Sequence, residues 1–351
     1  MTDSNFLTRE KIQTLELTAA AMVAKGKGVL AADESSPTIK KRFDTIKVES
    51  TEENRRLYRE LLFTAPEIEN HISGVILFDE TLRQSAGDGT PFSKLLSDRG
   101  IIPGIKVDKG IIQIPETLNE KVTQGLDGLA DRLDEYRQLG ARFAKWRAVL
   151  SIGYHQPSNL CIALNAHALA RYAALSQRAG LVPIVEPEIL INGNHDIETC
   201  ERVTQRTMGF VFNELSLQRV RLEGMILKPS MVTSGDACPE QADVETVARK
   251  TIKIFKRSVP SAVPGIAFLS GGQTSQQATA HLNAMNQIGS TPWELSFSYG
   301  RALQEQPLGV WKGKPENKAA AQAMLLSRAK CNGEARFGAY TPDMEPHWEM
   351  G

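Results

Sequence analysis

Short apolar runs alternate along the chain with longer stretches in which apolar residues recur at three- and four-residue spacing. The runs are 28–32, 74–78, 103–107, 143–152, 182–185, 224–227, 263–269 and 295–297. Between them, Leu126, Leu129, Leu133 and Tyr136 mark one helix face ahead of Gly140. Segments 160–179, 197–217, 243–258 and 273–287 are long enough to be helices. Ser50 and Glu53 predict a capping box ahead of Leu57, Leu61 and Leu62. Short runs that are apolar throughout suit strands of a parallel sheet covered on both faces. Eight such units predict an α/β fold, a closed (β/α)8 barrel, with an N-terminal helical extension and a C-terminal tail. A doubly wound open sheet is the competing architecture, since it shares the alternation. No linker, repeat or low-complexity segment divides the 351 residues. One domain, 1–351, is expected, with 341–351 as a mobile tail.

Charged or polar residues follow or interrupt each run. Asp33-Glu34-Ser35 ends the first and Asp79-Glu80 the second. Lys106, Asp108 and Lys109 accompany the third, and Lys145 and Arg147 stand inside the fourth. Glu186 and Glu188 follow the fifth, and Lys228-Pro229-Ser230 the sixth. Ser270-Gly271-Gly272-Gln273 closes the seventh, and Ser298-Tyr299-Gly300-Arg301 the eighth. Polar strand ends that simply meet solvent account for Asp79 and Lys109. They do not account for Lys145 and Arg147, which alternate with Ala144, Trp146 and Ala148 and therefore face one side together. A buried charge is costly unless paired. In a barrel, these strand ends converge on the face where such folds carry their chemistry.

Composition narrows the chemistry. The chain has 41 basic and 41 acidic residues, a balance that argues against a nucleic-acid partner. No apolar run approaches a membrane span, and the polar N-terminus lacks the pattern of a signal or transit peptide. The cysteines Cys161, Cys200, Cys238 and Cys331 are far apart and read as free thiols. A cytoplasmic address is expected. The six histidines lack metal-ligand spacing, so no metal site is expected. Gly26-x-Gly28-x-x-Ala31 runs into a strand instead of opening a helix, which excludes a dinucleotide fingerprint. Ser35, Ser36 and Ser230 have no adjacent histidine, which argues against a serine triad. His155 and His195 read as loop residues, and Trp293 and Phe297 as barrel packing.

Lysines among lysines and carboxylates fit Schiff-base chemistry. Burial beside another cation lowers an amine's pKa and frees its lone pair. Lys228 lies in a strand-like run, and Lys106 and Lys145 end others. A protonated imine withdraws electrons from the adjacent carbon, and Asp33, Glu186 and Glu188 can move protons. Ser270, Gly271 and Gly272 can offer backbone N–H groups to a phosphate, and Arg301 a charged grip. Loops after the seventh and eighth strands are the usual phosphate site of barrels.

These segments resemble the class I, metal-independent fructose-1,6-bisphosphate aldolases, in order, from about Leu7 to about Tyr340. The longest match is Val220-Arg221-Leu222-Glu223-Gly224-Met225-Ile226-Leu227-Lys228-Pro229-Ser230. Leu30-Ala31-Ala32-Asp33-Glu34-Ser35, Lys145-Trp146-Arg147, Val185-Glu186-Pro187-Glu188 and Phe268-Leu269-Ser270-Gly271-Gly272-Gln273 also match. The stretches around Lys106 and Arg301 do so too. The resemblance implies a glycolytic lyase that cleaves fructose 1,6-bisphosphate reversibly to dihydroxyacetone phosphate and glyceraldehyde 3-phosphate. It implies that Lys228 forms the imine, Glu186 moves protons in dehydration, Lys145 tunes the lysine, Glu188 orders it and Asp33 takes the C4 hydroxyl proton. Ser270, Gly271, Gly272 and Arg301 would hold the C1 phosphate. Ser35, Lys106, Arg147 and Thr38 would serve the C6 phosphate end, and Arg42 would close over the site. No cofactor beyond the substrate imine is implied, and the partners are phosphorylated ketoses and trioses and a homotetramer of the chain.

Two departures stand out. The family often ends in a tyrosine that protonates the enamine, whereas the last tyrosine here is Tyr340. Enamine protonation is therefore expected to be slower or to use another group. Ser36-Pro37-Thr38 replaces a Thr-Gly-Ser stretch, and Pro37 stiffens a loop that meets the C6 phosphate. That leaves bisphosphate against monophosphate preference open. The alternatives are a transaldolase-like transferase, which would not need Ser270–Gly272 with Arg301, a metal-dependent aldolase, and a non-catalytic scaffold.

Overall fold

In the computed structural model, which describes residues 7–345, the eight runs form a closed parallel barrel and not an open sheet. Among the described residues there are ten strands: β1 (Gly28–Ala32), β2 (Ile72–Leu77), β3 (Ile102–Lys106), β4 (Ile111–Gln113), β5 (Lys121–Thr123), β6 (Phe143–Leu150), β7 (Val182–Ile189), β8 (Ile226–Leu227), β9 (Gly265–Phe268) and β10 (Glu294–Tyr299). The barrel runs β1-β10-β9-β8-β7-β6-β3-β2, while β4 and β5 pair as an antiparallel hairpin outside it. The helices are α1 (Arg9–Met22), α2 (Ser36–Thr45), α3 (Glu52–Phe63), α4 (Asp79–Leu82), α5 (Phe92–Asp98), α6 (Leu129–Gln138), α7 (Asn159–Arg178), α8 (Ile197–Leu217), α9 (Val244–Ser258), α10 (Ser275–Gln287), α11 (Arg301–Trp311) and α12 (Lys318–Ala335). No helix among the described residues is long and apolar enough to cross a membrane.

The starts of α3 and α10 differ in their caps from the sequence reading. The hydroxyl of Thr51, not Ser50, caps α3 by accepting from the Asn54 N–H at 3.1 Å. Helix α10 starts at Ser275, two residues later than expected. There Thr274 and Gln277 form the reciprocal capping box.

Alternation along the strands builds two cores. Outward residues such as Leu30, Val75, Trp146 and Phe268 meet the helix ring. Phe297 belongs to this layer and lies so close to Gly28 that a Cβ there would come within 2.6 Å of its ring. Trp293 is buried, its indole N–H donating to the Pro260 carbonyl at 2.9 Å. Inward residues Val29, Ala31, Ile76, Phe143, Val182, Ile184, Ile226 and Ala267 fill the barrel's lower half. Helix α1 closes that end with Leu15, Ala19 and Met22, followed by Val23. The Phe143 ring crosses the interior over Gly104, where any Cβ would lie 2.2 Å from it. Arg336 fastens the closure by donating to the carbonyls of Val23, Lys27 and Leu295 at 3.0, 2.6 and 3.0 Å.

At the other chain end, the Arg328 side chain is fully buried and ion-paired with Glu345. It also donates to the Ser275 carbonyl at 3.0 Å and the Thr279 hydroxyl at 2.7 Å. The Tyr340 hydroxyl donates to Glu345 at 2.8 Å. Within the expected tail, Glu345 and the Met344 carbonyl, which accepts from the Cys331 thiol at 3.2 Å, meet α12; 346–351 lie outside the described residues.

Candidate active site

The inward series does not stop at the apolar layer. Two residues beyond Ala31 stands Asp33; beyond Phe143, Lys145 and then Arg147; beyond Ile184, Glu186 and Glu188; beyond Ile226, Lys228. One alternation therefore carries these four strands from hydrocarbon to charge. The register sets Lys106 beside Lys145 and Arg147 beside Glu186. Strand β8 is short because Gly224 ends a 3-10 turn before it and Lys228-Pro229 follows, with no N–H on the proline. The Lys228 N–H still bonds the Val185 carbonyl at 2.8 Å, which fixes the direction of its side chain.

Four charged groups form one chain of contacts. The Lys228 amine lies 3.2 Å from Glu186 Oε1, and the Lys145 amine 2.9 Å from Glu186 Oε2. Lys145 also donates to Asp33 at 3.0 Å. Lys228, Glu186 and Lys145 are only 3%, 3% and 4% exposed, so water does little to screen them. Burial is the main force lowering the Lys228 pKa, with the charge of Lys145 adding to it against the pull of Glu186. The amine is thereby biased toward its nucleophilic form. Burial also works against the charges of Asp33 and Lys145, but there the partners win. Lys145 and then Lys228 hold Asp33 well below the usual carboxylate range. Asp33 and Glu186 hold Lys145 above the usual lysine range, a permanent cation. Glu188 pairs with Arg147, and Lys106 with Asp108 at 2.6 Å.

The expected phosphate residues lie around this chain. Gly271 and Gly272 adopt positive φ, +49° and +89°, which lets the loop before α10 turn its backbone. Leu269 N–H bonds the Pro229 carbonyl at 3.1 Å, so this loop sits directly beside the Lys228 segment. Arg301 opens α11 and donates to the Gln273 carbonyl at 3.1 Å. The hydroxyls of Ser35 and Thr38 are 3.1 Å apart at the start of α2. Thr38, Arg42 and Arg301 line a common cavity of about 890 Å³. Arg42 is tied to Glu34 at 2.7 Å.

Sequence reading passed over the group that ties Arg42. Glu34 is buried, and it also binds Arg59 at 2.7 Å and the Gln304 amide at 2.9 Å. The signal was available, because consecutive charges Asp33 and Glu34 at a strand end must face opposite sides. Ser298 shares an inward register with Val29, and its buried hydroxyl has no hydrogen-bond partner. His195 immediately precedes Asp196, the cap of α8, and both its ring nitrogens are buried without partners.

Known proteins share this chain's sequence and fold. The family model for class-I fructose-bisphosphate aldolase matches residues 14–349. A probable fructose-bisphosphate aldolase class 1 from Xanthomonas campestris is 58% identical over 330 residues, covering 94% of this chain and 99% of the relative. A fructose-bisphosphate aldolase from Echinococcus multilocularis is 54% identical over 342 residues, covering 97% and 94%. The fructose-bisphosphate aldolase of Plasmodium falciparum, solved in complex with TRAP and a small-molecule inhibitor, superposes with a TM-score of 0.94 at 51% identity, covering 95% of this chain and 97% of that one. The chain belongs to the class-I fructose-bisphosphate aldolase family and is a lyase of that activity.

Proposed function

We propose that Lys228 carries the reaction as the imine-forming residue, with Glu186, Lys145 and Asp33 as its proton-handling partners. The observation that carries this reading is the unbroken buried chain Lys228–Glu186–Lys145–Asp33. The neutral Lys228 amine attacks C2 of open-chain fructose 1,6-bisphosphate. Glu186, in reach of both lysines, passes the proton needed to expel water from the carbinolamine. The protonated imine withdraws electrons from C3, so Asp33 can take the C4 hydroxyl proton while the C3–C4 bond breaks. Glyceraldehyde 3-phosphate leaves, and the enamine is protonated and hydrolysed to dihydroxyacetone phosphate. Lys145 stays charged throughout and stabilises the negative charge that moves past it. Glu188 holds Arg147 at the wall of the site. The C1 phosphate rests on Ser270, Gly271, Gly272 and Arg301. The C6 phosphate end rests on Ser35, Thr38, Lys106 and Arg147, and Arg42 leaves Glu34 to close over it. The imine is the electron sink, so the reaction needs no metal or organic cofactor. The working form is a cytoplasmic homotetramer.

Borohydride reduction in the presence of fructose 1,6-bisphosphate, followed by peptide mass spectrometry, tests the assignment. The expected adduct is on Lys228, with activity surviving a chelator. Cleavage without an adduct on Lys228 would overturn it.

A further inference from the structure

Two adjacent glycines at positive φ give the Ser270–Gly272 loop little conformational bias of its own, so its shape depends on what holds it. Gln273 does most of the holding. Its backbone N–H and its side-chain Nε2 both donate to the Ser270 carbonyl, each at 3.0 Å. Its own carbonyl accepts from Arg301 Nη2 at 3.1 Å. One residue therefore touches both the loop and the guanidinium of the phosphate grip. A carboxamide can rotate and exchange its oxygen for its nitrogen, which would turn an acceptor toward the Ser270 carbonyl. His281 blocks this. Its Nδ1 lies 2.5 Å from Gln273 Oε1, and since that oxygen only accepts, the ring nitrogen donates. The imidazole is buried on α10, whose start is fixed by the Thr274–Gln277 capping box. Burial also pushes its pKa down to about 4, so at neutral pH the ring is uncharged.

We propose that His281 and Gln273 are positioning residues that set the Ser270–Gly272 loop and Arg301 for a phosphate at C1, and so select phosphorylated three-carbon units over unphosphorylated ones. Both act through the Ser270–Gly272 loop and Arg301. The inference rests on the reading of Ser270–Gly272 and Arg301 as the C1 phosphate site.

The test uses the intact chain and two probes, dihydroxyacetone phosphate and dihydroxyacetone, each trapped on Lys228 with borohydride. In His281→Leu the half-saturating concentration of the phosphorylated probe should rise about tenfold, the scale expected when one buried hydrogen bond is left unmade. Trapping of dihydroxyacetone should be unchanged, which also establishes that the variant is folded around Lys228. His281→Asn, whose Nδ2 takes the place of the imidazole Nδ1, should restore most of the loss. A His281→Leu protein that shifts both probes equally, or neither, overturns the inference. Arg301→Ala separates the two levels. If it weakens only the phosphorylated probe while His281→Leu does not, the phosphate site stands and the positioning role falls. If Arg301→Ala does not discriminate between the probes, both fall.

Discussion

The two ends of the barrel interior are made from the same strands and the same alternation, yet their contents are opposite. The lower end is hydrocarbon sealed by α1; the upper end is a chain of buried ions. The lower end gains free energy from every side chain it removes from water. The upper end spends part of that gain holding charges where water cannot reach them, and the compensation is incomplete at Lys228. On β1, β6, β7 and β8 about two residues along the strand separate the apolar filling from the buried charge.

Substitution can break this comparison from either side. The largest effect is expected for Lys228→Met, with a loss of cleavage of about 10⁴-fold or more in steady-state assays, the scale seen when a nucleophile is removed. Its melting temperature should hold or rise. The folded state lowers this amine's pKa, so the fold disfavours its proton at neutral pH, and removing the group removes that penalty. A clear drop in melting temperature would mean that the Lys228 amine itself stabilises the fold.

Lys145→Met should cost both properties, about 3–5 kcal/mol of stability by denaturant titration, because Asp33 and Glu186 stay buried without it. Lys145 is the foremost group holding the Asp33 pKa down. Without it that pKa rises, and the acid limb of the kcat/KM profile should move to higher pH. In the parent chain the depressed Asp33 contributes stability above its unfolded value of 3.8, and this is lost as pH falls.

Leu15→Ala acts at the other end. Loss of about 2–5 kcal/mol is expected, with turnover per folded molecule nearly unchanged. A selective fall in kcat would show that the two ends are coupled. The smallest effects concern the C-terminal segment. Truncation after Glu345 should leave melting and turnover as they are. Truncation after Tyr340 should cost about 1–3 kcal/mol, since Arg328 then loses its carboxylate.

All eight barrel strands and the charged residues at their ends could be read from the sequence, because a wall buried on both faces leaves unbroken apolar runs. The Lys145–Trp146–Arg147 alternation told which side chains turn inward. The hairpin was not legible. Its strands are three residues each, with Ile111, Ile112 and Gln113 exposed, so no buried face imprints a pattern. Helix α11 was hidden by Pro307 in its interior. Helix α12 lies among other helices with charged, polar and small residues in contact, including buried Arg328 and Asn332. The partners of Glu34, namely Arg59 and Gln304, come from distant parts of the chain, and local spacing cannot announce such a meeting.

The seam of the barrel joins its first strand to its last, Val29 beside Ser298 and Leu30 beside Tyr299. During synthesis, therefore, β1 waits until β10 is made before its second neighbour exists. Until then the growing sheet has two unpaired edges, which can recruit other chains. Helix α1 waits as well, since its apolar face meets Ile226 and Ala267. Closure thus joins β1 to β10 only once the six other barrel strands stand between them.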